Sequence, residues 1–441
     1  MELAPPDSKA LPFEIILFIY KLLQETSDNK SSTAVDFLCC SMVSTSWNTC
    51  AAPCVAGMLN HLNIHAHSVK DIHRIAGVLE ESRRFHPELG QQVRSLTVQV
   101  NDLFEETHNY DENHDKFVLK EDMAKAIADL LVRAFALEDL TFDFDGIACR
   151  QCLQNTNSFF KSIMPVSKRL KRLSFDNFRI KDTEKQAPDE QKARENSYTY
   201  DPIADFITQQ SNLEEIKFRL FDGNDLITHA LSTCSNIRVA RFDLVDHFRA
   251  DLLSDKVLPR WPYLHTFSFD AMRVRPHSLV DAIRKKCPLL EDLTLPAHTH
   301  EDEDLVVALY QLIRERSDQL KCLSIQNCSI ADNSFLIFLC DSLPNIERLD
   351  ISGGYSYTGK RIKAVVWHNL RYLDITACIR VMPAFLFAVL KNCPRLAQLR
   401  MSVTTWREPE VQCRLEAAGF RRRSIPGDGP STAWDREVPN E

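Results

Sequence analysis

The side chains of this chain that are able to do chemistry are poorly spaced for it. Cys50-x3-Cys54 and His61-x3-His65 offer thiolate and imidazole, the ligand types of a tetrahedral zinc site. Only six residues separate Cys54 from His61, half the usual gap of a two-cysteine, two-histidine finger. Both cysteines also fall at the end of an expected helix. Cys149-x-x-Cys152 has the spacing of a redox-active dithiol, but no thioredoxin-like strand–helix–strand frame surrounds it. The run HTHEDED from His298 follows a strand and reads as polar surface. No local signature pairs any of the 14 cysteines with any of the 14 histidines as nucleophile and base. With 11 glycines and neither G-x-G-x-x-G nor G-x-x-x-x-G-K-[ST], the sequence has no phosphate-cradling loop. The expectation is a non-catalytic chain with no metal and no cofactor.

Composition agrees with a binding role and limits the partners. The chain has 441 residues, and 53 basic against 61 acidic side chains leave a formal charge of −8. A mildly acidic protein is a poor coat for nucleic acid or an anionic membrane, so neither is expected as a partner. Glu2 and Asp7 against Lys9 make no secretory leader, and the apolar run from Ile15 to Tyr20 is too short to span a bilayer. The cysteines then read as buried thiols of a cytoplasmic or nuclear protein.

What positions the functional surface is a repeat. The pattern apolar-x-x-apolar-x-apolar begins at Val93, Leu137, Leu170, Leu213, Ile237, Leu264, Leu290, Leu320, Ile346, Leu370 and Leu396. The spacings are 44, 33, 43, 24, 27, 26, 30, 26, 24 and 26. The last seven cluster near the period of leucine-rich repeats. In each copy the fourth and sixth residues point off one face of a short strand, and the third, fifth and seventh off the other. A helical stretch precedes each strand, as in SLVDAIRKKCPLLEDLTL, where Leu279, Ile283 and Cys287 fall at four-residue steps. The proline after the cysteine stops the helix. Cys234, Cys287, Cys340 and Cys393 take comparable places as small buried fillers, and Ala240 marks a loosely packed copy. One unit cannot bury its apolar face alone, but a stack can. The expected fold is α/β: a leucine-rich-repeat solenoid, a horseshoe of about eleven repeats over 93–404. Two insertions, NDLFEETHNYDENHD and IKDTEKQAPDEQKARENSYTYDP, read as loops on it, and the second as disordered.

Ahead of the repeats lies LPFEIILFIYKLL, a helix apolar on nearly every side, followed by the polar QETSDNKSS. Next comes TAVDFLCCSMVSTSWNTCAAPCV, where Val35, Leu38 and Met42 share a helical face and Ser44 can cap a third short helix carrying Trp47. Three such helices have too little volume to hide their apolar residues, so a partner surface must cover the surplus.

Leu11-Pro12-x-Glu14, then Ile15, Ile16 and Ile19, then Leu22-Leu23, and later Val43-Ser44-x-x-Trp47, resembles an F-box. With the repeats behind it, the chain is similar to F-box and leucine-rich-repeat proteins, of fungal type, the substrate receptors of SCF-type ubiquitin ligases. The resemblance implies an all-α three-helix F-box over 10–55, docked on a Skp-type adaptor and through it on a cullin–RING ligase. Leu11, Pro12, Ile15, Ile19 and Leu23 would face the adaptor, with Ile16, Leu22, Val43, Ser44 and Trp47 in or beside that surface. Glu14 would favour the positive end of the first helix. The sequence departs from the family's pattern between Leu23 and Val43, where QETSDNKSS is surplus: docking survives if it loops out and is lost if it disturbs the second helix.

The remaining divisions expected are a helical linker over 56–92, a C-terminal cap over 405–420 and a disordered tail over 421–441. The target protein is expected on the concave strand face. Its exposed positions would be Glu215, Lys217, Arg219, Arg241, Asp243, Asp270, Gln326, Arg348, Asp350, Tyr372, Asp374, Thr376 and Arg400, a mixed-charge surface suited to a polar protein epitope. The rival expectation is a leucine-rich-repeat scaffold without a ligase, its N-terminal helices sealing the first repeat.

Overall fold

The computed structural model describes residues 61–64, 69–85, 93–108, 115–134, 136–144, 156–166, 168–178, 201–271, 276–295, 303–327, 332–360, 362, 365–402, 409–423 and 431–436. The segment that resembles an F-box, with all the residues expected to face an adaptor, lies outside them. So do Cys50, Cys54, His65, Cys149, Cys152, His298 and residues 179–200, which hold all of the second insertion but its last two residues. The chain divides into two compact units, Met1–Leu213 and Glu214–Glu441.

The first unit runs β1 (His61–Ile64), α1 (Val69–Phe85), β2 (Ser95–Gln99), β3 (Phe104–His108), β4 (Asp115–Leu119), α2 (Glu121–Arg133), β5 (Asp139–Asp143), α3 (Asn157–Ser162), β6 (Arg172–Asp176) and α4 (Pro202–Thr208). Strands β1, β2, β5 and β6 form a parallel sheet in that order, with Leu62, Leu96, Leu140 and Leu173 in register. Leu96, Leu140 and Leu173 are fully buried, as are Val98, Phe142 and Phe175 two residues further on. Phe142 stacks on Phe175 at 5.6 Å and meets Phe160 and Phe206 from the helices at 5.2 and 6.0 Å. Burying each such side chain contributes about 1.5–3 kcal/mol. Helix α2 buries Met123, Ile127, Leu130 and Leu131, the three- and four-residue steps of an amphipathic helix. Helix α4 starts where the Asp201 carboxylate accepts from the backbone N–H groups of Ile203 and Ala204 at 2.8 and 3.1 Å.

Two expectations need correction in this unit. The 56–92 stretch is not a helical linker throughout, because β1 pairs in parallel with β2 and places a strand ahead of the first recognised repeat. The strand does carry the repeat template, Leu59-x-x-Leu62-x-Ile64, 34 residues ahead of the copy at Val93, so it is an earlier copy that the expected start of the ladder at Val93 left out. The acidic insertion is also not simply a loop: β3 and β4 form an antiparallel hairpin in which Phe104 faces Leu119. Neither FEETH nor DKFVL carries a period-two apolar alternation that would mark it as a strand.

The second unit runs β7 (Glu215–Arg219), α5 (Asp225–Leu231), β8 (Val239–Val245), β9 (Thr266–Ala271), α6 (His277–Lys286), β10 (Asp292–Leu295), α7 (Glu303–Arg316), β11 (Cys322–Ile325), α8 (Asn333–Ser342), β12 (Arg348–Asp350), β13 (Tyr372–Ile375), α9 (Pro383–Asn392), β14 (Gln398–Ser402), α10 (Pro409–Ala417), β15 (Arg421–Arg423) and β16 (Ser431–Asp435). Strands β7 to β14 are parallel, each paired with the next in the chain. Their inward residues form one continuous row in register: Ile216, Ala240, Phe267, Leu293, Leu323, Leu349, Leu373 and Leu399, all fully buried. Ala240 lies between Ile216 and Phe267, and Phe218, Phe242 and Phe248 cluster beside it with ring centroids 5.1–5.5 Å apart. Helices α6 and α9 end at Cys287 and Cys393, each followed by proline.

The chain leaves several strands through one left-handed residue: Leu220, Asn327, Gly353 and Ala377 all have φ between 49° and 72°. At Gly353 the requirement is steric as well, since a Cβ there would sit 1.8 Å from the Asn327 side-chain oxygen.

The 421–441 segment is not a disordered tail along its length. Strand β16 pairs antiparallel with β14, and β15 with β16. Trp434 is 1% exposed, and the Arg436 guanidinium donates to the Pro394 carbonyl at 2.6 Å. The tail's glycines and prolines suggested disorder; the unpaired edge of β14 gives it a partner. Among the described residues no helix is long and apolar enough to cross a membrane.

Candidate binding face

In parallel strands held in register, alternate side chains project from one face. Opposite the apolar rows of the second unit run two polar ones. The central row is Lys217, Arg241, Ser268, Thr294, Ser324, Asp350, Asp374 and Arg400. Beside it lie Glu215, Val239, Thr266, Asp292, Cys322, Arg348, Tyr372 and Gln398.

One half of the face is a connected network. Asp350 accepts from Gln326 Nε2 at 2.7 Å, Ser324 Oγ at 3.2 Å and the Ser352 backbone N–H at 3.0 Å. Asp374 accepts from the Tyr372 hydroxyl at 3.0 Å and the Thr376 backbone N–H at 2.8 Å, with Arg400 at 4.0 Å. The Arg348 guanidinium lies 4.3 Å over the Tyr372 ring, and that of Arg400 is 5.7 Å from the same ring. Burial, then the Asp374 charge, pushes the Tyr372 phenol up, so it stays protonated as a donor.

The sequence expectation that all these positions are exposed is therefore corrected at two of them. Asp350 and Asp374 are each 7% exposed: Ser324 and Gln326, from the neighbouring strand and the turn after it, hold the Asp350 carboxylate down on the sheet, and Tyr372 and Thr376, two residues to either side, hold that of Asp374. Tyr372, Gln326 and Thr376 are half-buried, and Thr376 enters the network through its backbone.

The other half is looser. Lys217 faces Arg241 and Arg219 faces Asp243 in register, with Glu215 two residues before Lys217. Asp243 accepts from Ser268 Oγ at 3.1 Å, and Asp270 is half-buried. Asp292, between the halves, was missed by sequence reasoning. Burial raises its carboxyl pKa, with Arg241 and Arg348 pulling it back. Ser268, Thr294 and Ser324 were also missed; the signal was their place at the fifth position of each template.

The four buried thiols at the helix ends are not poised for chemistry. Burial pushes Cys234 up to about 11 and Cys287 and Cys393 up to about 12, and Cys340 is raised by the same cause. Among the described residues, Asp222, Asp246 and His247 bring one ligand atom each within 4.8 Å of one another, a partly exposed set with three side-chain donors.

No family model and no curated protein matches the chain. Among solved structures, the complex of Rad7 and Elc1 in yeast is similar at 14% identity, over 90% of this chain and 92% of that one, with a TM-score of 0.42. An internalin from Listeria monocytogenes is similar at 14% identity over 58% of this chain and 68% of that one, with a TM-score of 0.32. A complex of TLR13 with ssRNA13 is similar at 11% identity, over 78% and 50%, with a TM-score of 0.31. At such scores these likenesses carry no argument. The leucine-rich-repeat type of the chain rests on its own geometry, a parallel strand ladder with the apolar template in register.

Proposed function

We propose that this chain is the target-recognition subunit of a Skp–cullin–F-box ubiquitin ligase. Residues 10–55 would dock the Skp-type adaptor, and the polar sheet face of the second unit would hold the target protein. The observation that carries the recognition half is that face: two polar rows in register over a continuous apolar core, with no nucleophile and base assembled on it among the described residues. The F-box resemblance of Leu11 to Trp47 supports the ligase half. In this reading the chain is not an enzyme. Ubiquitin transfer occurs on a partner, and this protein raises the effective concentration of the target lysine there.

Co-expression with the host's Skp-type adaptor, followed by size exclusion, tests it. Wild type is expected to elute as a stable one-to-one complex, and a variant carrying Pro12→Ala and Ile15→Asp to elute alone. Wild type eluting alone while folded would sink the ligase reading and leave a binding scaffold.

A further inference from the structure

By formal charge the polar face is mixed, but by depth it is sorted. Its strand carboxylates lie low: Asp350 and Asp374 are buried, and Glu215, Asp243, Asp270 and Asp292 half-buried. Arg219, Arg241 and Arg348 are exposed, while Lys217 and Arg400 are half-buried. The buried carboxylates are occupied by neighbouring hydroxyl, amide and backbone donors. Lys217, Arg241 and Arg348, by contrast, form no ion pair with any described residue. A partner approaching this face of a chain with net charge −8 therefore meets cations first.

The cations are also spaced. Arg241 lies on β8 and Arg348 on β12, four steps along the ladder, which is about 19 Å at the usual strand separation. Between them the central row offers the hydroxyls of Ser268, Thr294 and Ser324, and the row that carries Arg348 offers Thr266, the half-buried Asp292 and Cys322. An extended chain crossing the strands covers that distance in about six residues.

We infer that this face binds an extended acidic segment of a partner protein, with carboxylates about six residues apart engaging Lys217–Arg241 at one end and Arg348 at the other. A neutral polar spacer lies over the hydroxyl row. The inference rests on the reading of this face as the target surface and adds the chemistry of the target. Guanidinium groups suit it because their planar donor fork takes a carboxylate in two hydrogen bonds. Stacking on Tyr372 holds the Arg348 fork in place before binding.

The test is fluorescence anisotropy with the full chain and a labelled peptide carrying two glutamate pairs joined by a Gly-Ser spacer. Saturable binding that weakens with added salt is expected. Arg241→Glu with Arg348→Glu should weaken it about tenfold or more. Lys285→Glu with Lys286→Glu, exposed cations at the end of α6, should leave it unchanged. A circular dichroism melt confirms that each variant is folded. Absence of saturable binding at low salt, or equal binding by the Arg241/Arg348 variant, overturns the inference. Binding confined to a phosphoserine peptide, or to a single-stranded oligonucleotide, overturns the assignment to carboxylates. Peptide binding without an adaptor complex leaves the inference standing and removes the ligase reading; an adaptor complex without peptide binding does the reverse.

Discussion

Tyr372 shows how one residue ties the polar face together. Its ring carries Arg348, its hydroxyl holds Asp374, and its strand places it between β12 and β14. Asp292 is the opposite case, a carboxylate whose surroundings oppose its charge. Burial raises its folded pKa despite Arg241 and Arg348, so the folded state binds the proton more tightly than the unfolded chain does. The native contribution of this group is therefore best at low pH and is lost as pH rises from the ordinary carboxylate range through the raised value. Asp292→Asn should accordingly raise the melting temperature at neutral pH, and the gain should vanish in acid. A gain of equal size at both pH values would show that the charge is not the cause.

At the scale of elements, the decisive device is closure of the sheet edge. Strand β14 would end the parallel ladder with open backbone groups, and an open edge invites pairing with other chains. Instead β16 returns antiparallel along it, and Trp434 is buried opposite Leu399. Trp434→Ala should cost about 3–5 kcal/mol, the range for removing a large buried aromatic side chain. Thermal and urea unfolding would measure it, with aggregation growing as the edge frays. A change well under 1 kcal/mol would mean that the C-terminal strands contribute little to the fold.

At the scale of the whole molecule the proposed activities fall on different stretches of chain, residues 10–55 and residues 215–400. The variants should therefore separate cleanly. Pro12→Ala with Ile15→Asp should abolish the adaptor complex and leave acidic-peptide affinity unchanged. Arg241→Glu with Arg348→Glu should do the opposite. Loss of both activities in either variant, with folding intact, would mean that the two functions are not carried separately.

The sequence alone was enough for the ladder. Each of the eleven template segments from Val93 to Leu396 lies on a described strand, because a period of about 26 residues with apolar fourth and sixth positions has only one economical way to bury them. Alternation also identified which residues share the polar face, since side-chain direction along a strand is a local property. Depth on that face is only partly local, since Asp374 takes its hydrogen bonds from Tyr372 and Thr376, two residues to either side. Asp350 is held down by Ser324 and Gln326, and Asp374 is approached by Arg400, neighbours 24 to 26 residues away brought alongside only by lateral register. The strand at Ser431–Asp435 was invisible, because it carries no template and is defined by the edge it pairs with, whereas that at His61–Ile64 was legible in Leu59-x-x-Leu62-x-Ile64. Tertiary structure thus decided which charges a partner meets, and it did so partly through contacts that no short stretch of sequence contains.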